Sequence, residues 1–158
     1  MIFVITGTQK FQFNRLLKEL DDLNEKKKIS EKIIAQIGFS TYKPETYDIV
    51  RFLSYKEFKK FVSTASLIIT HGGSAAITTS LKANKKVIAV PRLLEFGEHV
   101  DNHQLEIVNK LHEEGFISKV LELEYLEDAI NNIKSLKFNQ FKSNSELFLK
   151  YIKNDIDT

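Results

Sequence analysis

Short apolar runs alternate with amphipathic segments along most of the chain. Apolar runs of strand length cover residues 2–6, 33–39, 49–53, 67–70, 87–90 and 116–120. Segments predicted as helices cover residues 13–23, 56–62, 74–84, 101–114, 124–136 and 140–153. Strands that alternate with helices imply right-handed crossovers, so the pattern predicts an α/β fold with a parallel sheet and helices on both faces.

The predicted helix 140–153 is amphipathic. It carries Phe141, Phe148 and Ile152 at helical spacing on one face and lysines on the other. Two roles are open for the apolar face. It either closes the core of this domain or, together with the loop 98–103, docks on a membrane-associated partner.

Composition narrows the class of protein. The 158 residues suit a single domain over 1–158, and 42% hydrophobic with 28% charged residues is typical of a globular protein. Lys plus Arg is 23 and Asp plus Glu is 21, so no basic excess indicates a nucleic-acid partner. Cysteine is absent, which excludes disulfides, thiolate metal ligands and a thiol nucleophile.

The start of the chain is apolar for only a few residues, which is shorter than the apolar stretch of a signal peptide. No apolar stretch approaches the ~20 residues of a membrane helix. The sequence therefore predicts a cytoplasmic protein that reaches a membrane surface through a partner.

Two turns rich in small residues follow predicted strands. Gly7 and Thr8 follow the first strand, where backbone N–H groups can face an anion, although a tight turn alone needs the same glycine. The strand at 67–70 is followed by His71, Gly72, Gly73, Ser74, Ala75 and Ala76. Small residues at a helix start favour phosphate binding, with His71 as a further donor; the alternative is close packing of helix on sheet.

The long polar loop after residues 87–90 is a third candidate, since such a loop commonly binds a ligand. Asp101, Asn102 and Gln104 offer the donors and acceptors that sugar hydroxyls need. Asp101 with Gln104 also fits a capping box at the next helix, and the two roles are compatible. His99 and His103 lack the surrounding motif of a zinc protease, so no metal site is predicted.

The ordered set of these motifs resembles the C-terminal domain of glycosyltransferase family 28 over residues 1–120. The segments 71–77, 87–91 and 101–104 carry the family likeness. The likeness is narrowed to one subgroup of the family by the segments 7–9, 13–16, 36–38, 52–55, 91–92 and 96–100. They look like the small catalytic subunits of bacterial capsular and exopolysaccharide glycosyltransferases. These are similar to the catalytic subunit of the eukaryotic two-subunit N-acetylglucosaminyltransferase of N-glycan assembly.

The resemblance implies the Rossmann-like C-terminal half of a GT-B fold. It implies an inverting, metal-independent hexosyl transfer, with galactose as a candidate sugar, from a UDP-sugar to a lipid-linked glycan, without a cofactor. A separate membrane-associated subunit would bind the acceptor. The diphosphate would face Gly7, Thr8 and the segment 71–76. Phe52 and Leu53 would hold uracil, while Asp101, Asn102 and Gln104 would meet the sugar.

One position departs from the family pattern. Many relatives carry a glutamate that binds the ribose where this chain has Thr79. His71 and Arg92 are the predicted groups that neutralise departing UDP. The base that deprotonates the acceptor lies either on the partner or at Glu98 or His99. A non-catalytic scaffold subunit of the same fold stays open as an alternative, whereas an epimerase-like enzyme would need a longer chain.

Overall fold

The computed structural model describes residues 1–142, which fold around a six-stranded parallel sheet. The strands are β1 (Ile2–Ile5), β2 (Ile33–Gln36), β3 (Asp48–Val50), β4 (Leu67–Thr70), β5 (Val87–Ala89) and β6 (Ser118–Lys119). The helices are α1 (Asn14–Glu25), α2 (Tyr55–Thr64), α3 (Ser74–Lys82), α4 (His103–Glu113) and α5 (Leu126–Asn132). Every neighbouring pair of strands is parallel, which confirms the predicted sheet.

The strand order is β3-β2-β1-β4-β5-β6. The chain runs outward from β1 to β3 and then returns to β4, so the direction of winding reverses between β1 and β4. At such a switch point the loops after the two strands diverge and open a crevice at the carboxyl edge of the sheet.

Apolar residues cover both faces of the sheet. On one face, Val4 belongs to a buried cluster with Leu16 and Leu20 of α1. On the other face, Ile5 belongs to a cluster with Ile77 of α3 and residues of α2 and α4. Helices on both faces of a parallel sheet confirm the predicted α/β fold class.

Several boundaries differ from the sequence pattern. The predicted strand 33–39 ends at Gln36, since Gly38 takes a left-handed φ of +53° and turns the chain. The predicted strand 116–120 is regular only at Ser118–Lys119. The predicted helix 124–136 becomes α5 between two 3-10 turns, with Leu126 and Ile133 buried at its ends. Ala129 and Ile130 between them are only partly buried, so packing does not enforce one continuous helix.

The C-terminal prediction falls largely beyond the described part. Residues 140–142 are irregular, and the rest of the predicted helix 140–153 lies outside the described residues. Phe141 contacts the ring of Phe116, with 5.8 Å between ring centroids. Within residues 1–142, the helices are too short and too polar to cross a bilayer.

Candidate functional site

A cavity of about 430 Å³ opens at the carboxyl edge of the sheet, next to the switch point. That volume lies in the usual range for small-molecule sites. Of the residues predicted from the sequence, the cavity is lined by Gly7, Thr8, Leu53, His71, Gly73, Ala75, Ala76, Thr79 and Gln104. The other predicted residues lie outside its lining and comprise Phe52, Gly72, Ser74, Arg92, Glu98, Asp101 and Asn102. The cavity therefore unites the two small-residue turns.

The Gly7 turn lies against the imidazole of His71. Gly7 has a φ of +90°, which other residues rarely adopt, and a Cβ there would lie 2.9 Å from His71 Nε2. The His71 N–H donates to the carbonyl of Ile5 at 3.1 Å, which fixes the start of the second turn beside the first. Glycine is needed at position 7 for both conformation and space.

His71 is a buried imidazole held in one tautomer. Its Nδ1 accepts from the backbone N–H of Gly73 at 3.0 Å and lies 3.2 Å from Nε2 of Gln104. Two donors at Nδ1 assign the ring proton to Nε2, which is the atom beside Gly7. Burial, helped by the nearby charge of Arg92, lowers the pKa of His71 to about 3. The ring is therefore a neutral hydrogen-bond donor at the cavity wall.

The start of α3 forms the second wall. Gly73 is the N-cap, and a Cβ on it would overlap the His71 ring. A glycine has no side chain with which to cap the helix, and the next residues that line the cavity are Ala75 and Ala76. The positive end of this nine-residue helix therefore faces the cavity without a bulky side chain in between, as anion sites require.

Gln104 joins three segments beneath the cavity. Its Oε1 accepts from the backbone N–H groups of Gly72 and Arg92, each at 3.1 Å, and its Nε2 reaches His71. A Cβ at Gly72 would lie 2.6 Å from Gln104 Cβ, so the contact requires glycine. The side-chain carbonyl oxygen of Gln104 already accepts from these two backbone N–H groups. The predicted contact with the sugar stays a prediction, and it would use the remaining amide N–H of Gln104.

Arg92 lies under the Gly7 turn instead of in the cavity. Its side chain is 1% exposed, and Nη2 donates to the carbonyl of Thr6. Burial lowers the pKa of Arg92 to about 10, against the opposing effect of Glu98, so the guanidinium stays charged at neutral pH. It therefore places a positive charge behind the turn without touching a ligand in the cavity.

Glu98 fastens the loop after β5 to α1. Its buried carboxylate meets Arg15 through Nε–Oε1 at 2.6 Å and Nη2–Oε2 at 3.1 Å, and Oε2 also accepts from the N–H of Leu93 at 3.0 Å. This geometry gives both oxygens a structural partner. The role of Glu98 as a base stays a prediction that the contacts do not favour.

Asp101 and Asn102 organise the start of α4. Asp101 Oδ1 accepts from the His103 N–H at 3.0 Å, and Asn102 Oδ1 accepts from the Leu94 N–H at 3.0 Å. Asn102 is the N-cap, which makes Gln104 the second helical residue, and the predicted capping box between Asp101 and Gln104 is wrong. The Gln104 amide turns instead toward the loops beneath the cavity.

Of the two remaining predicted residues, Phe52 lies outside the cavity lining and Thr79 belongs to it. Phe52 is 47% exposed and meets Phe39 edge-on, with 5.2 Å between ring centroids. The hydroxyl of Thr79 lines the wall and donates to the carbonyl of Ala75 at 2.9 Å. Gln36 was not predicted as a site residue, although it is buried and lines the cavity. A polar residue that ends an apolar strand was the available signal.

Unsatisfied polar atoms concentrate around this edge. Within residues 1–142, the buried side-chain atoms that lack a hydrogen-bond partner are Gln36 Oε1, Thr70 Oγ1, Arg92 Nε and His103 Nε2. They come from the ends of β2 and β4, the loop after β5 and the first residue of α4. Buried polar atoms of folded proteins nearly always have a hydrogen-bond partner, so each of these four calls for an explanation. Over the same residues, no three or more His, Asp or Glu side chains converge as metal ligands.

Two named proteins align with most of this chain. It is 28% identical over 123 residues to the human UDP-N-acetylglucosamine transferase subunit ALG13, a match that covers 73% of this chain and 10% of the human protein. It is 30% identical over 117 residues to the Candida albicans subunit of the same name, covering 71% of this chain and 39% of that protein. The chain thus spans well under half the length of either relative.

Solved structures share the fold. The solution structure of ALG13 has a TM-score of 0.60 at 17% identity, covering 96% of this chain and 94% of that one. The crystal structure of MurG from Acinetobacter baumannii has a TM-score of 0.59 at 19% identity, covering 84% of this chain and 42% of that one. The model of the glycosyltransferase family 28 C-terminal domain matches residues 1–156. The chain therefore belongs to this glycosyltransferase family, and its sheet is the Rossmann-like C-terminal half of a GT-B fold.

Proposed function

We propose that this chain is the donor-binding subunit of an inverting UDP-sugar glycosyltransferase. The observation that carries the proposal is the cavity at the switch point, where the Gly7 turn, the start of α3 and the neutral His71 converge. Two relatives are named UDP-N-acetylglucosamine transferase subunits, which supports a UDP-linked sugar as the donor.

The cavity offers different chemistry at its two ends. At one end, the turn at Gly7 and Thr8, the start of α3 and the Nε2–H of His71 provide donors for the diphosphate. At the other end, Leu53 and Tyr55 provide apolar surface for the base. A nucleoside diphosphate matches this division into an anionic part and a flat, largely apolar part.

The residues stabilise the leaving group. In the transfer, an oxygen of the acceptor attacks the anomeric carbon, the bond from that carbon to the diphosphate oxygen breaks, and UDP departs with the electron pair. Preorganised N–H donors stabilise the charge that develops on the diphosphate, and the buried charge of Arg92 adds to their field. His71 has its proton on Nε2 and serves as a donor throughout. No metal or cofactor is part of this mechanism.

The acceptor and its base are assigned to a second protein. Glu98 is occupied by Arg15, so the base that takes the acceptor proton is proposed to lie on a membrane-associated, acceptor-binding subunit. The proposed acceptor is a lipid-linked glycan. The names of the relatives favour N-acetylglucosamine over the galactose predicted from the resemblance. Capsular or exopolysaccharide synthesis stays the predicted setting.

The test measures donor binding and then transfer. Calorimetry compares UDP, UDP-N-acetylglucosamine and UDP-galactose with ADP as the control for a non-uracil nucleotide. We expect UDP and one UDP-sugar to bind and ADP to bind far more weakly. Co-expression with the membrane-associated subunit should then yield UDP release that depends on a lipid-linked acceptor. The absence of UDP binding to both the chain and the complex would falsify the proposal.

A further inference from the structure

Gln36 presents to the cavity a buried polar group that lacks a partner among the described residues. It ends β2 after three apolar residues, is 3% exposed and lines the cavity. Within residues 1–142, its Oε1 has no hydrogen-bond partner. A buried amide oxygen is costly to leave unpaired, so the atom calls for a donor from outside the described residues.

The sheet register places Gln36 between the two ends of the cavity. It pairs with Ile5 of β1 on one side and with Val50 of β3 on the other. β1 leads into Gly7 at the anion end, and β3 leads into Leu53 at the apolar end. Register partners in a parallel sheet point to the same face, so Gln36 shares the face of Ile5, which α2 and α3 cover.

Gln36, in the middle of the cavity, corresponds in position to the ribose in the middle of UDP. In UDP the ribose joins the diphosphate to the base, so a nucleotide that spans both ends sets its ribose above Gln36. Ribose hydroxyls are donors as well as acceptors and need acceptor atoms in the protein. Thr79 has already donated its hydroxyl proton to Ala75, and this leaves it a weaker partner for a diol than a carboxylate.

We infer that Gln36 binds the ribose of the donor, with its Oε1 accepting a hydrogen bond from one ribose hydroxyl. The inference rests on the proposed function, because it takes UDP as the occupant of the cavity. It adds a residue from β2 to a nucleotide site otherwise built from the turns after β1, β3 and β4.

The test combines variants of Gln36 with altered ligands. Gln36→Leu and Gln36→Met retain the size of the side chain and remove the acceptor. Calorimetry measures the dissociation constants of UDP, 2′-deoxy-UDP and 3′-deoxy-UDP for the full-length chain. We expect each variant to bind UDP about tenfold more weakly, which is the loss of about one hydrogen bond. Wild type should lose a similar factor with one deoxy analogue, and the variants should bind that analogue as wild type does.

Two controls separate binding from folding. Gln140→Leu alters an exposed glutamine outside this cavity, and it should keep the wild-type discrimination between UDP and the deoxy analogues. The melting temperatures of both Gln36 variants should be equal to or above that of wild type, because no bond within the described protein is lost.

Each other outcome is informative. If both Gln36 variants keep wild-type discrimination, the inference fails while UDP remains the donor. A clear fall in melting temperature in both variants assigns Gln36 to the fold and also overturns it. If wild type does not bind UDP at all, the proposed function and the inference fall together.

Discussion

Two polar regions of this protein differ in whether their buried polar atoms find hydrogen-bond partners among the described residues. In the first, which we term the Asp21 clamp, one buried carboxylate fixes the loop between β2 and β3 to α1. Asp21 accepts from the hydroxyl of Tyr42 at 2.8 Å, the N–H of Glu45 at 3.0 Å, and the N–H and hydroxyl of Thr46 at 3.0 and 2.7 Å. Every donor in the clamp comes from the chain itself.

The carboxyl edge of the sheet is the opposite case. There, buried atoms of Gln36, Thr70, Arg92 and His103 lack partners within the described residues. The Asp21 clamp shows that this fold can supply every hydrogen bond that a buried polar group needs when the group has a structural role. Of the four residues at the carboxyl edge, Gln36 lines the cavity, so its unpaired oxygen is a better guide to a ligand site than polarity alone.

The same contrast appears in the two titratable groups. Burial alone would raise the pKa of Asp21, but hydrogen bonds from Thr46, Glu45 and Tyr42 outweigh it and lower the pKa. Burial of His71 and the nearby charge of Arg92 outweigh the opposing effect of the hydrogen bond with Gln104 and lower the pKa of the ring, which keeps it neutral. The clamp thus holds a charge that its donors stabilise, whereas the cavity holds an uncharged donor.

Removal of the clamp carboxylate should have the largest effect on stability. We expect Asp21→Ala to lower the free energy of unfolding by about 3 kcal/mol, since several hydrogen bonds to a charged acceptor are lost together. Urea denaturation measures this. Asp22→Ala removes only the exposed pair with Lys18 and should change stability by at most about 0.5 kcal/mol. UDP affinity of the folded Asp21→Ala protein should be unchanged; a parallel loss of affinity would erase the distinction between the two regions.

Gly73→Ala should have the next largest effect, on binding rather than on stability. Its Cβ would overlap the His71 ring and displace the donor from the cavity wall. A hydrogen bond to a charged group contributes about 1.5–3 kcal/mol, so UDP affinity should fall by about 10- to 100-fold. Calorimetry with UDP is the measurement. Gly97→Ala is the control, because a Cβ there meets nothing within 4 Å, although its φ of +65° is strained. Wild-type affinity in folded Gly73→Ala would place the anion site elsewhere.

Glu98 sharpens the comparison between the two regions. It lies near the carboxyl edge of the sheet, and yet both of its carboxylate oxygens have hydrogen-bond partners in the protein. Glu98→Gln should lower the free energy of unfolding by about 2 kcal/mol, since it leaves the partly buried Arg15 without its counter-charge. A double-mutant cycle with Arg15→Gln should show a coupling free energy of about 1 kcal/mol or more. Zero coupling, combined with a loss of turnover and an altered pH profile, would restore Glu98 as the base.

The smallest expected effect is the pH dependence contributed by His71. Its pKa is lower in the folded protein than in the unfolded chain, so its contribution is complete above about pH 6.5 and declines as pH falls toward 3. The free energy of unfolding of wild type relative to His71→Gln should therefore fall by about 1.3 kcal/mol between pH 7 and pH 5.5. Denaturation at the two pH values measures it. An unchanged difference would mean that the ring takes up a proton in the fold.

Hydrophobic periodicity predicted the strands, most helices and the parallel sheet, because each of these depends on which residues are buried. It did not predict that 124–136 breaks around α5, since the tertiary packing of a few residues decides that. Periodicity also does not show which strands pair, so the position of Gln36 between β1 and β3 was not visible from the sequence.

Residues of the cavity lining were predicted from the sequence where local conformation decides their position. The turns at Gly7 and Gly73 were predicted because glycines at strand ends report close approach of the backbone, and both line the cavity. Arg92 and Glu98 were predicted to face the ligand. A polar residue type in the sequence does not reveal that its side chain has a partner within the protein. The partner of Glu98 is Arg15, which lies 83 residues away along the chain.

Titration of UDP into the isotope-labelled full-length chain, followed by backbone amide NMR, tests the contrast between the two regions most directly. The amides of Gly7, Thr8 and the start of α3 should shift with UDP in one saturable process, while those of Glu45 and Thr46 in the Asp21 clamp stay in place. Shifts confined to the clamp or spread evenly over the chain would contradict the assignment of the carboxyl edge as the donor site, as would no shifts at saturating UDP.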